Sequence, residues 1–175
     1  MQNTDKHKYL GRLFTGDLCQ RGSAAVEHRI NCAWAKFKGF QHVLTDKHVP
    51  ISLRFKLFES VISSTAVYSL DTCPMTLANE RRLDVVQRKM LRRMVGWVSS
   101  TEDDTWRDIG RKMKLRLERC LTAYPLTDWS ALVSERKAAL LASSQNWPLW
   151  TKLATEWIPL GGFRTPGRPR KRWNG

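Results

Sequence analysis

The spacing of apolar residues predicts helices along most of the chain. Between Ser23 and Leu44 they fall three or four positions apart, which is the period of one helix face. Pro50 marks a break after this first helix. Ser52 is the predicted N-cap of a second helix with its own apolar face.

The clearest periodicity predicts a third helix over about 77–97. Thr76 precedes it as a predicted N-cap, and Gly96 stands near its end, where glycine commonly terminates helices. Its predicted buried stripe consists of Leu83, Val86, Met90, Met94 and Trp97. This helix is expected to lie against the core along its whole length.

Two further helices and a strand complete the pattern. Thr101 and Asp104 have capping-box spacing and predict a helix start, and Pro125 predicts the end of that helix. Residues 127–128 predict the start of another helix. Residues 8–17 alternate large and small side chains and close on Gly-Asp, which predicts a short strand ending in a turn. The predicted fold class is mainly α, a helical bundle with a short N-terminal strand or hairpin.

The composition and charge of the chain indicate the class of partner that it binds. Among 175 residues, 30 Lys and Arg face 16 Asp and Glu, a formal charge of +14, and the 42% hydrophobic content is typical of a folded domain. The basic residues concentrate in residues 21–60, 80–97, 111–119 and 161–175, with an acidic break at 98–110. Such blocks indicate a polyanion partner, because phosphate neutralisation releases counterions. No apolar run reaches the roughly 18 residues of a membrane span, and an intracellular protein with reduced cysteines is expected.

The third helix carries the first specific basic signal. After Asp84 the next nine residues contain only positive charge. Phosphate contact is the favoured interpretation, with a solvated helix face as the alternative. The residues concerned are Arg81, Arg82, Arg88, Lys89, Arg92 and Arg93.

The last fifteen residues carry the second basic signal, in a Gly-, Pro- and Arg-rich segment that predicts a flexible tail. The Gly-Arg-Pro-Arg run resembles an AT-hook, in which an Arg-Pro core enters the minor groove of A·T-rich DNA. General phosphate contact, nuclear import or no role are the alternatives, and the tail favours a nuclear location. Its candidate residues are Arg168, Arg170, Lys171 and Arg172.

Candidate catalytic and metal-binding residues are few. Asp103 and Asp104 form an adjacent pair of the kind that holds Mg²⁺ in polymerases, but a place at a helix start accounts for them better. His28 and Cys32 share a helix face without the second pair that a structural zinc site needs. No GxSxG, HExxH, P-loop or GxGxxG pattern is present. The sequence therefore predicts no catalytic residue, no metal and no cofactor.

Several segments in fixed order resemble a known family. They are residues 8–11 (Lys-Tyr-Leu-Gly), 53–61 with Tyr68, 82–83, 87–97 and 167–173. Together they are similar to the region downstream of the catalytic palm in non-LTR (LINE-type) retrotransposon reverse transcriptases. The resemblance covers roughly residues 8–97 and 164–173.

The resemblance implies a polymerase thumb that grips a template–primer duplex. Tyr9, Leu10 and Gly11 would form the palm–thumb junction, and Arg88, Lys89, Arg92 and Arg93 would lie on a thumb helix. The family's Tyr-x-Asp-Asp motif would precede residue 1, so Met1 is expected to open a truncated or mis-started reading frame. The chain alone would then bind an RNA–DNA or DNA duplex without being an enzyme, and neither a membrane nor a small-molecule substrate is implied.

The resulting division of the chain has four parts. Residues 1–20 would be the remnant of the palm–thumb junction, 21–98 a thumb-like helical bundle, 99–160 an additional helical segment and 161–175 a disordered basic tail. Trp147, Trp150 and Trp157 are expected to pack within the third part, with base stacking as the alternative. A free-standing AT-hook-like DNA-binding protein and a helical protein-interaction domain remain the rival functions.

Overall fold

A computed structural model describes residues 6–15, 20–98 and 104–144 as a mainly α-helical fold with an N-terminal pair of antiparallel strands. This confirms the predicted fold class. The strands are β1 (Lys6–Tyr9) and β2 (Arg12–Thr15). The helices are α1 (Arg21–Gly39), α2 (Gln41–Leu44), α3 (Ile51–Leu57), a π-helical segment (Phe58–Ser63), α4 (Ser64–Val67), α5 (Leu77–Val95), α6 (Trp106–Ala123) and α7 (Trp129–Ser144). The three late tryptophans and the basic tail lie outside the described residues.

The N-terminal strands form a hairpin, which is one of the two alternatives predicted for this part of the chain. Tyr9 pairs with Arg12, so Leu10 and Gly11 alone make the loop. Both have positive φ, +47° and +76°, as a two-residue type I′ hairpin turn requires. Gly11 suits this conformation, but leucine rarely adopts it, which is why the apolar pattern concealed the turn.

The predicted first helix divides at its glycine. α1 ends at Gly39, and the amide of Phe40 donates to the carbonyls of Lys36 and Lys38. A single turn, α2, follows. The predicted cap Ser52 is wrong, because α3 begins at Ile51 after the extended Pro50 and has no side-chain cap. Proline supplies the N-terminal boundary there without a capping hydroxyl.

The helix over 51–67 runs on continuously through its π-helical segment. Phe58 and Ile62 are fully buried within that segment, and Ala66 and Val67 are buried beyond it. The helix ends at Tyr68, whose φ of −56° and ψ of 123° are extended. Residues 64–67 thus continue the helix.

The long helix α5 is organised largely as its sequence predicts. Thr76 caps it by accepting a hydrogen bond from the Asn79 amide at 3.3 Å, and Leu83, Met90 and Met94 are at most 1% exposed. Trp97 departs from the predicted buried stripe, with 67% of its surface exposed. The helix stops at Val95, and Gly96 at φ +83° directs the chain away from the core.

The capping box of α6 lies four residues later than predicted. The hydroxyl of Thr105 accepts from the Asp108 amide, and the Asp108 carboxylate accepts from the Thr105 amide. The Thr105 hydroxyl also donates to the Asp108 carboxylate, and this hydrogen bond, together with the one from the Thr105 amide, lowers the pKa of Asp108 below its ordinary value. Residues 101–104 and 105–108 both read Thr-x-x-Asp, so the sequence alone did not distinguish them. Asp104 instead forms an ion pair with Lys112 at 2.6 Å.

The last two described helices share the core of the preceding ones. Leu117 of α6 and Trp129 and Val133 of α7 belong to the same buried cluster as the apolar residues of α1 and α5. The Trp129 indole is fully buried, stacks on Phe58 at 6.0 Å and donates from Nε1 to Ser63 Oγ at 2.9 Å. Within the described ranges, no helix combines the length and apolar character needed to cross a bilayer.

Candidate nucleic-acid interface

The six basic residues predicted on α5 all lie on its exposed side. Arg81, Arg82, Arg88, Lys89, Arg92 and Arg93 are each exposed. At 100° per residue, their Cα positions span an arc of about 140°, in two rows along the helix axis. We call these six residues the basic face. The opposite side of α5 is buried, so the packed core fixes the orientation of the basic face.

Acidic neighbours leave the basic face largely unneutralised. Arg82 lies 3.7 Å from Glu27 and Arg88 lies 3.6 Å from Asp128, and all four side chains are about half exposed. Exposed pairs of this kind contribute about 0–1 kcal/mol and are readily exchanged for another anion. Among the described residues, no carboxylate lies within 4 Å of the other four basic side chains of the face.

Arg93 is oriented by an aromatic ring. Its guanidinium lies over the Trp34 ring of α1, 4.8 Å from the centroid. Such a contact restrains the side chain while leaving the guanidinium edge available for hydrogen bonds to an anion. The end of the basic face nearest Gly96 is therefore the more ordered end.

The hairpin loop is fixed to the helices by two side chains. Arg29, buried in α1, donates to the Gly11 carbonyl, and its guanidinium lies 4.7 Å from the centre of the Tyr68 ring. Tyr68 in turn donates from its hydroxyl to the Leu10 carbonyl at 3.3 Å. These contacts bring together the Tyr-Leu-Gly segment and Tyr68, which are 58 residues apart in sequence.

The two predicted site residues of the hairpin differ in accessibility. Tyr9 is 67% exposed, and Leu10 beside it is 75% exposed. Gly11 is half-buried, because Arg29 and Tyr68 lie against it at 3.5 Å and 3.7 Å from the position of a Cβ. Gly11 thus shapes the loop, while the Tyr9 side chain is exposed beside it.

A groove that the sequence did not predict adjoins the basic face. It has a volume of about 670 Å³. Arg92 and Arg93 line it from α5, and Trp106, Gly110 and Met113 line it from α6. Trp97, expected in the core, lies on the wall instead, and Trp106 is 81% exposed. Trp97, just before the acidic break, and Trp106, within it, were the available signal in the sequence.

A buried arginine ties two walls of this groove together. Arg54 of α3 donates from one guanidinium nitrogen to the Met94 carbonyl at 2.6 Å and to the Leu44 carbonyl at 3.4 Å. These carbonyls end α5 and α2, where a cation complements the helix dipole. Thr45 and Arg93, which follow and precede these carbonyl residues in sequence, line the groove, so Arg54 connects two of the elements that form its walls.

The candidate metal ligands His28 and Cys32 lie next to each other on α1. Cys32 Sγ lies 3.7 Å from His28 Nε2. Burial, assisted by Arg29 and Lys8, lowers the pKa of His28, and burial raises the pKa of the Cys73 thiol. In the described part of the chain, no three His, Cys, Asp or Glu side chains gather as a metal site would require. The predicted tail residues Arg168, Arg170, Lys171 and Arg172 lie outside the described residues.

Comparison with known proteins finds a distant relative that is described as transposon-derived. The chain is 26% identical over 176 residues to a Caenorhabditis elegans protein described as transposon-derived. The alignment covers 99% of this chain and 59% of that relative, so the chain spans about three-fifths of the relative's length. No family model and no solved structure matches the chain.

Proposed function

We propose that this chain is a thumb-like, non-catalytic part of a retrotransposon RNA-directed DNA polymerase, and that it binds the template–primer duplex through backbone phosphates. The exposed basic face of α5 is the observation that carries the proposal. Its six cations point outward from a helix whose other side is packed in the core. Phosphate contacts of this kind hold a duplex in register without reading its sequence.

The dimensions of the basic face fit a nucleic-acid strand. Arg81 and Arg92 are eleven residues apart, which is about 17 Å along a helix axis. One strand of a B-form duplex rises about 3.4 Å per phosphate along the duplex axis, so the face is long enough to reach several successive phosphates. Two rows of cations allow contact with a phosphate backbone that crosses the helix at an angle.

The N-terminal hairpin also supports the thumb assignment. The residues that resemble the palm–thumb junction make a rigid loop, fixed by Arg29 and Tyr68, with Tyr9 exposed beside it. A palm–thumb junction has to hold the thumb in a fixed position relative to the palm. A loop that is hydrogen-bonded directly to α1 can do this. The catalytic carboxylates would come from a separate palm, and the basic tail would direct the chain to the nucleus.

Binding measurements on charge variants test the proposal. Affinity for an RNA–DNA hybrid is expected to fall steeply with salt, with a slope of log K against log salt of about −3 to −5. The variant Arg88→Gln/Lys89→Gln/Arg92→Gln is expected to lose most of this affinity and to flatten the slope.

The matched control neutralises exposed basic residues on other helices. Lys56→Gln on α3, Arg119→Gln on α6 and Arg136→Gln on α7 together remove the same three positive charges but leave the basic face intact. Equal losses in both variants would mean that net charge alone binds the duplex. Loss only after substitution of Arg168, Arg170, Lys171 and Arg172 by Gln would favour the AT-hook-like protein instead. No binding to any duplex at ~50 mM salt would favour the protein-interaction domain.

A further inference from the structure

The groove between α5 and α6 combines two features that rarely occur together on an exposed surface. Trp97 is 67% exposed and Trp106 81% exposed, although large aromatic side chains are usually buried. Both belong to a groove whose volume, about 670 Å³, falls in the range of small-ligand sites. Arg92 and Arg93 supply positive charge at the same place.

The chemistry of the groove selects one class of ligand. Indole faces stack on flat aromatic rings, and Ile109 and Met113 give the groove an apolar floor. Arginine binds phosphate oxygens and also stacks on planar groups. A flat ring joined to a phosphate is a nucleotide, and a nucleotide offers its base to such a groove only when that base is unpaired.

The groove is held open by contacts that do not depend on a ligand. Arg116 donates to the backbone carbonyl of Trp97 at 3.2 Å, which fixes the chain that carries this tryptophan. Trp34 restrains Arg93, and Arg54 ties the ends of α2 and α5. Preformed walls reduce the ordering cost of binding.

We propose that this groove stacks an unpaired base of a single-stranded segment adjoining the duplex. Trp97 and Trp106 contact the base, and Arg92 binds the neighbouring phosphate. The proposal rests on the proposed function, since it assigns the groove to the same nucleic acid that the basic face binds. It adds a preference for a duplex with a single-stranded extension over a blunt duplex.

Gly110 offers a way to block the groove without disturbing the fold. It lies inside α6, and a Cβ placed on it would meet no atom within 4 Å. Replacing a glycine in the middle of a helix by a residue with higher helix propensity is also stabilising. Gly110→Leu therefore fills the groove, and Gly110→Ala is the matched control that leaves most of its volume.

The experiment compares three forms of one RNA–DNA hybrid by fluorescence anisotropy. The first is blunt, the second carries a single-stranded DNA overhang, and the third carries an overhang of the same length made of abasic sugar-phosphate. The overhang is expected to raise affinity about 5- to 150-fold over the blunt hybrid, the range of one base–aromatic stack. The abasic overhang, which has the same charge, is expected to give little of that gain.

Substitutions in the groove test whether the higher affinity for the overhang depends on it. Trp97→Ala, Trp106→Ala and Gly110→Leu are expected to abolish it while leaving the affinity for the blunt hybrid unchanged. Gly110→Ala and Leu115→Ala, the latter at an exposed position of the same helix outside the groove, are expected to retain it. Circular dichroism checks that each variant is folded.

The inference and the proposed function fail in different ways. If the blunt hybrid binds through the basic face but the normal and abasic overhangs bind equally, the groove does not stack a base. The same conclusion follows if a polyglutamate peptide competes as well as a single-stranded oligonucleotide of equal charge. If the blunt hybrid does not bind, the proposed function fails, and a free oligonucleotide compared with its abasic counterpart still decides the role of the groove.

Discussion

The side-chain oxygen of Gln87 accepts a hydrogen bond from the backbone amide of Trp129 at 2.9 Å, in the buried contact between α5 and α7. The amide nitrogen of the same side chain donates to the Thr127 carbonyl at 2.9 Å. One turn earlier, Asp84 accepts from both the backbone amide and the hydroxyl of Ser130, at 3.0 Å and 2.7 Å. Helix α5, which also carries the basic face, thus supplies the capping groups for the start of α7.

Replacing Gln87 by leucine is expected to destabilise the fold by about 1–3 kcal/mol. The substitution leaves the buried Trp129 amide without a partner, which costs about 1–3 kcal/mol, and it also removes the hydrogen bond to the carbonyl of the exposed Thr127. Chemical denaturation measures the change. The control Gln41→Leu, at an exposed position of α2, is expected to change the free energy of unfolding by less than about 0.5 kcal/mol. Similar losses in both variants would contradict the capping role of Gln87.

Gly22 is expected to tolerate no side chain. A Cβ on this residue of α1 would overlap the Pro74 carbonyl oxygen, which is backbone and cannot rotate away. Gly22→Ala should therefore cost about 1–3 kcal/mol through overpacking. Gly39→Ala in the same helix meets no atom within 4 Å and should stabilise by about 0.5–1 kcal/mol. Thermal unfolding of the two variants in parallel would show opposite shifts, and a shared sign would refute this packing.

The stability of the fold is expected to decrease as pH falls below about 6.5. Burial lowers the pKa of His28 below its ordinary value of 6.5, so the unfolded chain binds a proton that the folded chain resists. The stabilisation is present above the pKa that His28 has in the unfolded chain. It is lost as the pH falls through the lower pKa that His28 has in the folded chain. His28→Gln is expected to flatten the curve of unfolding free energy against pH between about 7 and 5. His42→Gln, at an exposed position, serves as the control and should leave the curve as it is.

Single neutralisations on the basic face are expected to change the salt dependence of binding in equal steps. Arg81→Gln removes a cation with no acidic neighbour within 4 Å in the described structure, and Arg88→Gln removes one that lies 3.6 Å from Asp128. If both contact phosphate, each reduces the slope of log K against log salt by about 0.9. Anisotropy titrations at several salt concentrations measure the slopes. An unchanged slope for Arg88→Gln alone would mean that Asp128 keeps this arginine from the duplex.

The sequence predicted those parts of the fold that depend on local pattern. The buried stripe Leu83, Met90 and Met94, the Thr76 cap and the exposed basic residues all follow from the period of one helix. Trp97 was misplaced because a single glycine with positive φ ends the helix one residue before it. Periodicity cannot detect such a stop when the next residue is also apolar.

The candidate groove and the Gln87 contacts were beyond prediction for a different reason. They depend on which helices become neighbours, and the residues involved are far apart in sequence. Arg54 joins carbonyls 10 and 40 residues away, and Gln87 binds backbone 40 and 42 residues away. No local sequence pattern distinguishes an arginine that donates to the carbonyls at the ends of two helices from an arginine that faces solvent.

The π-helical segment over Phe58–Ser63 has a consequence for where the hairpin sits. Hydrogen bonds of the i to i+5 type accommodate one residue more than an ordinary helix would. Without that residue, everything after Ser63 would rotate by about 100° around the axis. Ala66 and Val67 would swing towards water, and the Tyr68 hydroxyl would lose the Leu10 carbonyl. The one additional residue of the π-helical segment, which no sequence motif marks, thus sets the angle at which the N-terminal hairpin packs against the helices.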